Sequence, residues 1–347
     1  MSPRAARQLE SFPEGAVEPV EAPLRRAPRI GLALGGGSAR GWAHIGVIEA
    51  LQDAGISPEV VAGCSIGAVV GGAYAAGKLD KLKGFATSLT KRGVMGLADL
   101  KLTGSGLIGG ERLARRLVEE LGGQRIEALP VAFACVATEL GTGHEVWLTN
   151  GPLVESIRAS YAIPGLFPPV SLDTRLLMDG TLVNPVPVRL ARELGADVVI
   201  CVNLACDPRV RGSLVWHEAP PAGEEDLEGQ IEQAVEARSR WALLRGAGLR
   251  IVGRRPARDG AIAKAVDKTG APGAARVMFD AFNITQDRIS RARLASDPPD
   301  VMVSPRLAAM GLFEFHRAAE GIALGREAAR AALPEIRRMV EGAAARV

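Results

Sequence analysis

A strand, a glycine-rich turn and a helix follow one another twice near the start of the chain, and this repeated pattern limits the possible folds. Alternating apolar residues from Ile30 to Leu34 predict a short strand that runs into three glycines. A helix is predicted from about 41 to 54, because large apolar residues recur there at helical spacing. The pattern repeats with a strand over 60–62 and a helix over 66–77. This alternation is typical of a parallel sheet in an α/β fold.

The rest of the chain continues the alternation and then changes character. Further strands are predicted over 131–137, 145–148, 175–178, 198–202 and 301–303. Helices are predicted over 111–121, 230–245, 277–294 and 313–339. Another helix is expected to start with Asn184 as its cap and Pro185 as its first residue. A polar stretch over 208–228 and a Gly-, Pro- and Arg-rich stretch over 250–273 indicate a loop and an irregular insertion.

Composition and charge exclude several classes of protein. The 42 Lys and Arg nearly balance the 39 Asp and Glu, and a net charge of +3 argues against a nucleic-acid partner. The four cysteines form no Cys-x-x-Cys pair, so no metal site is expected. We expect them to be buried thiols in a reducing compartment. Residues 1–28 have no apolar signal segment and are expected to be a disordered tail. Without an apolar run of about 18 residues, the expected location is cytoplasmic by default.

A serine lies in the pattern G-x-S-x-G at the second strand–helix turn, within Gly63-Cys64-Ser65-Ile66-Gly67. The serine of such a turn needs small neighbours, and the helix that follows offers unpaired N–H groups and a positive dipole end. Both favour negative charge beside the side chain. Ser65 is therefore the candidate nucleophile of an acyl hydrolase, and the alternative is a glycine-rich turn with an incidental serine. The neighbouring Cys64 is expected to point away and to pack in the core.

A second glycine-rich block, Gly35-Gly36-Gly37-Ser38-Ala39-Arg40-Gly41, follows the first strand. Consecutive glycines let backbone N–H groups converge on an anion, so Gly35, Gly36 and Gly37 are candidates for an oxyanion hole. Arg40 is expected either to orient this loop and add positive potential or to form a surface salt bridge.

A dinucleotide-binding fold is the competing interpretation of the same block. Glycines after a first strand suit it, and Tyr74 with Lys78 imitates the Tyr-x-x-x-Lys pair of short-chain dehydrogenases. The second strand, however, runs straight into the serine turn and does not end in a ribose-binding residue. The Tyr–Lys pair also comes too early in the chain, so this interpretation is disfavoured.

The candidate general base is Asp179, which follows a predicted strand and precedes a glycine. A carboxylate there could accept the Ser65 proton, although Asp-Gly is also a common turn. The alternative is a Ser-Asp-His triad, which His217 or His316 would complete. Neither has a local signature, and the other two histidines, His44 and His144, precede Asp179 in the chain. The sequence therefore favours a Ser65–Asp179 dyad.

Together and in this order, these blocks resemble a patatin-like phospholipase of the bacterial type. The resemblance also rests on Ala159-Ser160 with the segment 163–169, and on Asn184-Pro185 after the candidate base. It covers about 29–205. Each block alone is weak, but four in the family's order are specific.

The resemblance implies a three-layer α/β/α domain with a mostly parallel central sheet and a helical C-terminal region. It also implies a Ser65–Asp179 dyad without a catalytic histidine, backbone oxyanion donors at Gly36 and Gly37, and no cofactor. Arg40 matches the arginine of the family's glycine block. The implied substrates are fatty acyl esters of phospholipids, lysophospholipids or neutral lipids. One departure is Thr181, since many members have Asp-Gly-Gly there.

Residues 29–207 are accordingly the expected patatin-like catalytic core. An insertion over 208–274 and a helical C-terminal region over 275–347, packing on the core, are expected to follow. The oligomeric state is not indicated. A non-catalytic lipid-binding or regulatory module on the same fold is the alternative function, and the intact serine, acid and glycine loop argue against it.

Two segments are candidates for contact with lipid. The apolar residues Ile163, Pro164, Leu166 and Phe167, stiffened by three prolines, form either a wall of the acyl groove or an ordinary rigid core loop. The stretch 245–258 holds five arginines among glycines and aliphatic residues. It is either a peripheral contact with anionic headgroups at a membrane surface or, as the sequence favours, a solvated basic loop.

Overall fold

An eight-stranded mixed sheet organises the fold in the computed structural model, which describes residues 26–97, 111–204 and 274–345. The strands are β1 (Ile30–Leu34), β2 (Val60–Cys64), β3 (Ala132–Glu139), β4 (Glu145–Leu148), β5 (Val170–Leu172), β6 (Arg175–Asp179), β7 (Val198–Val202) and β8 (Val301–Val303). Their order is β5-β6-β3-β2-β1-β7-β8, and β4 also pairs with β3. The neighbouring strands in the run β3-β2-β1-β7-β8 are parallel, whereas the pairings of β4, β5 and β6 are antiparallel.

Helices cover both faces of this sheet, which confirms the expected three-layer α/β/α architecture. They are α1 (Ala43–Asp53), α2 (Ile66–Ala75), α3 (Leu79–Ser88), α4 (Lys91–Leu97), α5 (Glu111–Leu121), α6 (Leu153–Tyr161), α7 (Val188–Glu193), α8 (Ala274–Ser296) and α9 (Ala318–Ala344). One apolar cluster joins the sheet to α1, α2, α3, α6 and α9. A second cluster joins its other face to α7 and the end of α8. Short 3₁₀ turns lie at Ser38–Trp42, Ile126–Ala128, Gly180–Leu182 and Phe315–Arg317.

The central strands are apolar along their whole length because both of their faces are covered. Every residue of β1, β2 and β7 is buried. Parallel strands between two helical layers have this composition, in contrast to the alternating pattern of a half-exposed sheet. The carboxyl ends of β1 and β2 lie side by side, and this adjacency brings the two glycine-rich turns together.

The C-terminal region is built into the sheet as well as packed on it. Strand β8 pairs with β7 in parallel and forms one edge of the sheet. Helix α9 packs directly on α1, where side chains at Gly46 and Gly325 would collide with the backbone of the opposite helix. Arg326 of α9 pairs with Glu49 and Asp53 of α1 at the rim of this contact.

Two predictions about element boundaries are wrong. Helix α7 begins at Val188 with Pro187 at its cap position, so Asn184 does not cap it. The reason is that Pro187 disfavours helical backbone in the residue before it, which prevents a helix from starting at Pro185. The predicted disordered tail also extends too far, because Arg26 forms an ion pair with Asp197 at 2.7 Å.

Several other predictions lie outside the described residues: most of the tail, the helix over 230–245 and nearly all of the insertion over 208–274 with its arginine-rich stretch. Within the described ranges, no helix is long and apolar enough to cross a membrane. No cluster of His, Cys, Asp and Glu that could hold a metal ion occurs in the same ranges.

Candidate active site

Ser65 occupies a strained turn between β2 and α2. Its backbone angles are φ 54° and ψ −121°, a conformation that non-glycine residues rarely adopt and that clusters at functional sites. The flanking glycines are required by space: a Cβ at Gly63 would lie 2.6 Å from the Ala68 backbone, and one at Gly67 would collide with the carbonyl of Leu34. The G-x-S-x-G pattern therefore has a steric cause in this chain.

A buried serine of α6 supports the turn from below. The amide of Ser65 donates to Ser160 Oγ at 2.9 Å, and the Ser160 hydroxyl donates to the carbonyl of Val136 on β3 at 2.7 Å. Ser160 is fully buried, so both bonds satisfy groups that water does not reach. The two bonds connect the strained turn to the sheet and to α6.

The Ser65 hydroxyl donates to the carboxylate of Asp179, with 2.8 Å between Oγ and Oδ2. Asp179 ends β6, which runs antiparallel to β3 and carries the residue to the end of β2 where Ser65 lies. Its backbone is fixed at both ends, because its amide donates to the Ala162 carbonyl and its carbonyl accepts from the Thr138 hydroxyl. The structure thus brings together the two residues that the sequence proposed as a dyad, 114 positions apart.

The Asp179 carboxylate has no exposure to solvent, and burial raises its pKa from 3.8 to about 6. Three hydrogen bonds oppose this shift, from the amide of Thr181 at 2.8 Å, the hydroxyl of Thr181 at 2.7 Å and the hydroxyl of Ser65. A carboxylate with this pKa is ionised at neutral pH and remains a much stronger proton acceptor than an exposed aspartate.

The glycine loop passes directly against Ser65. A Cβ at Gly36 would collide with the Thr181 methyl group and would lie 3.5 Å from Cβ of Ser65. The hydrogen bonds of this loop differ from the sequence-based assignment. The amides of Gly35 and Gly36 already donate to the carbonyls of Val202 and Pro185, at 3.1 and 3.0 Å. These two predicted oxyanion donors are therefore committed to the protein backbone.

The next two amides of the loop are different. Among the described residues, the N–H groups of Gly37 and Ser38 have no hydrogen-bond acceptor. Ser38 has a positive φ of 51° and opens the 3₁₀ turn Ser38–Trp42, whose first N–H groups have no partner within the turn. The donors still open to a ligand are thus one position further along the chain than the resemblance implies.

Arg40 contacts the C-terminal region. Its Nε donates to the carbonyl of Met310 at 2.9 Å, and the amide of Ala39 donates to the carbonyl of Leu312 at 3.0 Å. These bonds favour the expectation that Arg40 orients the glycine loop. They fix the loop against the segment that leads into α9.

No histidine in the described part of the chain bonds Ser65 or Asp179. His44 is buried, and its Nε2 donates to the carbonyl of Gly35 at 2.8 Å; burial lowers its pKa to about 4, so it is neutral. His144 is exposed near Glu139, and His316 lies in the 3₁₀ turn Phe315–Arg317. His217 is outside the described residues.

The predicted groove residues lie next to the acid. The segment begins after Ala162, whose carbonyl holds the Asp179 amide. Ile163 is buried, Leu166 and Phe167 are half-buried, and Pro164 is exposed. Phe167 packs edge-to-face on Tyr161 with ring centroids 5.4 Å apart. Both interpretations of this segment, acyl wall and rigid loop, are compatible with these contacts, so the groove stays a prediction.

Three residues of the site carry no assigned role in the sequence-based prediction: Ser160, Thr138 and Gln286. Ser160 falls inside one of the four sequence blocks of the family resemblance, and this position could have marked it as a residue of the site. Gln286 of α8 donates to the Thr181 hydroxyl, 105 positions away along the chain, and no local pattern marks it. Cys64 and Cys135 are buried free thiols whose pKa values burial raises, which agrees with packing roles.

Comparison with known proteins identifies the protein family to which the fold and the site point. A family model described as patatin-like phospholipase matches residues 32–192. Uncharacterized NTE family proteins of Mycobacterium bovis and Mycobacterium tuberculosis are 36% identical over 340 residues, covering 88% of this chain and 92% of theirs. The chain belongs to the patatin-like phospholipase family.

More distant likenesses cover less. The protein named lysophospholipase nte1 of Emericella nidulans is 33% identical over 183 residues, which are 50% of this chain and 12% of the fungal protein. Among solved structures, the crystal structure of VipD from Legionella pneumophila matches 91% of this chain and 67% of that chain, with a TM-score of 0.40 and 13% identity. A likeness that distant supports no conclusion about function.

Proposed function

We propose that this protein is a serine hydrolase that cleaves fatty acyl esters of phospholipids or lysophospholipids through an acyl-Ser65 intermediate. The observation that carries the proposal is the 2.8 Å hydrogen bond between the strained Ser65 and the buried Asp179. Membership of a family named for phospholipases, and a fungal relative named a lysophospholipase, support a lipid ester as the substrate.

In the first step, Oγ of Ser65 attacks the ester carbonyl carbon while its proton passes to Oδ2 of Asp179. The carbonyl oxygen becomes an oxyanion. The bond to the leaving alcohol then breaks, and the alcohol departs with the proton held by Asp179. For a lysophospholipid, the leaving group is the glycerophospho-alcohol, and the acyl chain stays on the serine.

In the second step, water cleaves the acyl-serine ester. Asp179 accepts a proton from water while the water oxygen bonds to the acyl carbon. The proton then passes to Oγ of Ser65 when the serine leaves. The fatty acid is released, and Ser65 and Asp179 are restored. No cofactor is required at either step.

The oxyanion donors in this proposal are the amides of Gly37 and Ser38. Both are open to a ligand within the described chain, whereas the Gly35 and Gly36 amides already have acceptors. The N-terminus of α2 follows Ser65 directly and adds the positive end of its dipole. Preorganised donors of this kind typically lower the barrier by about 3 kcal/mol each.

The direct experiment measures lysophosphatidylcholine hydrolysis and fluorophosphonate labelling by the wild type, Ser65→Ala and Asp179→Asn. Both variants should lose at least about a thousandfold in kcat, and the probe should add to Ser65 only. Ser171→Ala and Asp173→Asn are matched controls at exposed positions, and asparagine tolerates the positive φ of Asp173. Near-wild-type hydrolysis by Ser65→Ala or Asp179→Asn would refute the dyad.

The same experiment distinguishes the alternatives. A triad predicts a large loss of activity in His217→Ala or His316→Ala, and the dyad predicts none. A non-catalytic lipid-binding module predicts no adduct on Ser65 and no hydrolysis by the wild type, even though lipid binds.

A further inference from the structure

A helix outside the catalytic segment reaches the general base through one intermediate hydroxyl. Gln286 of α8 donates from Nε2 to Thr181 Oγ1 at 2.6 Å, and the Thr181 hydroxyl donates to Asp179 Oδ1 at 2.7 Å. The directions of these bonds are fixed by chemistry. A hydroxyl has a single proton, and that of Thr181 is donated in the hydrogen bond to the carboxylate. Thr181 can therefore only accept a hydrogen bond from the amide NH₂ of Gln286.

Helix α8 is held in place for this contact. Two turns beyond Gln286, on the same face of the helix, Arg293 donates to the carbonyl of Val183 at 3.1 Å and to Glu145 at 3.0 Å. Ser290 lies between them and is buried. The helix is therefore hydrogen-bonded at two points to the short segment that follows Asp179.

Thr181 acts on Asp179 with two donors where a glycine would offer one. Its backbone amide bonds Oδ1, as any residue there would, and its hydroxyl adds a second bond to the same oxygen. Hydrogen bonds to a buried carboxylate favour the ionised form and fix the direction of its lone pairs. The free oxygen, Oδ2, is consequently turned to Ser65.

We propose that Thr181 and Gln286 are positioning residues that hold the Asp179 carboxylate ionised and aimed at the Ser65 hydroxyl. The proposal rests on the dyad proposed above and adds the parts that hold its acid. Gln286 acts through Thr181: by donating to Oγ1, it leaves the hydroxyl proton for the carboxylate and polarises that bond. Neither residue contacts the reacting atoms.

The other titratable groups near Asp179 are neutral or paired, so the bonds from Thr181 and Gln286 are the main adjustable influence on its ionisation. Cys64 on β2 and Cys135 on β3 are buried thiols with raised pKa values, so both are neutral at ordinary pH. Glu145 on β4 is paired with Arg293 of α8. The element α6 contributes the neutral hydroxyl of Ser160, whose bonds go to Ser65 and Val136.

The test follows the pH dependence of Ser65 phosphonylation by a fluorophosphonate probe, measured by intact mass between pH 5 and 9. In this reaction the Oγ–P bond forms, fluoride leaves and the serine proton passes to Asp179, so the rate depends on ionised Asp179. The variants are Thr181→Ala, Thr181→Ser and Gln286→Met, with Thr285→Ala as the control. Thr285 is the exposed neighbour of Gln286 on α8, and its hydroxyl bonds only its own helix.

Thr181→Ala should move the acid limb of the labelling rate upward by about one pH unit, because the ionised form loses one charge-assisted hydrogen bond. Gln286→Met should move it in the same direction by about half a unit. Thr181→Ser keeps the hydroxyl and should restore the limb to within about 0.2 units of the wild type. Thr285→Ala should leave it unchanged.

An unshifted acid limb in both Thr181→Ala and Gln286→Met overturns the positioning proposal, while Ser65 labelling in the same samples leaves the dyad intact. Absence of any Ser65 adduct in the wild type overturns the dyad and the positioning proposal together. If Thr181→Ala fails to fold, as judged by its thermal transition, Gln286→Met decides, since it retains the threonine and replaces a half-buried side chain with one of similar size.

Discussion

Replacing the proposed general base with its neutral isostere, Asp179→Asn, should abolish hydrolysis, and the stability of the variant relative to the wild type should increase as the pH rises. The cause is the burial of Asp179, which raises its pKa from 3.8 to about 6. Below pH 3.8 the carboxyl is neutral in both folded and unfolded chains. Between the two values the unfolded chain ionises first. Wild-type stability therefore falls as pH rises through this window, and above pH 6 the full loss remains.

The size of the effect follows from the shift. About two pKa units, at about 1.36 kcal/mol each, give a loss of about 3 kcal/mol at pH 8. At pH 5 the loss is only about half as large, because the folded carboxyl is still largely protonated. Asparagine is neutral at both pH values, so the unfolding free energy of Asp179→Asn relative to the wild type should rise by about 1 to 2 kcal/mol between pH 5 and pH 8.

The assay is urea denaturation of the wild type and Asp179→Asn at pH 5, 6.5 and 8. Any constant difference in packing or hydrogen bonding between the two side chains cancels when pH values are compared. Asp173→Asn, at an exposed position, is the control for replacing an aspartate with asparagine. A difference that stays constant with pH, or that increasingly favours the wild type, would show that folding does not raise the pKa of Asp179.

Three further predictions concern activity, support of the serine turn and membrane contact. The kcat/KM of ester hydrolysis should fall tenfold per pH unit below about pH 6, as Asp179 becomes protonated; a rate independent of pH between 4.5 and 7 would contradict this. Ser160→Ala should lower the free energy of unfolding by about 2 kcal/mol and reduce kcat, because the buried Ser65 amide loses its acceptor; unchanged stability and kcat would contradict the proposed support. If the stretch 245–258 contacts anionic headgroups, neutralising its arginines should weaken sedimentation with phosphatidylglycerol liposomes and leave binding to phosphatidylcholine liposomes unchanged; sedimentation that does not depend on anionic lipid would rule this contact out.

The contact between Ser65 and Asp179 could be predicted from sequence because each residue has a local cause. The turn at Ser65 needs small neighbours for space, and that need leaves a readable pattern. Asp179 ends a strand and precedes a glycine, and a side chain at Gly180 would collide with the Val136 carbonyl. The order of strands and helices was predictable for the same reason, since burial on both faces makes the central strands continuously apolar.

Which amides of the glycine loop are free could not be predicted from sequence. Three consecutive glycines show that amides converge, but not which amides are free. That depends on carbonyls of Val202 and Pro185, which arrive from distant parts of the chain and take up the first two donors. Gln286 was beyond prediction for a similar reason, because its bond to Thr181 forms only once α8 docks on the segment after Asp179.

Strand β8 and helices α8 and α9 have a practical consequence for dividing this protein. A fragment ending near 207, the expected end of the catalytic core, would retain Ser65 and Asp179 but would expose β7 as a bare edge with unpaired N–H and C=O groups. It would also uncover the α1 surface on which α9 lies, and it would lack Gln286, which bonds the Thr181 hydroxyl. We therefore expect a fragment cut at 207 to aggregate, and a fragment that folds on its own to require β8 and α9.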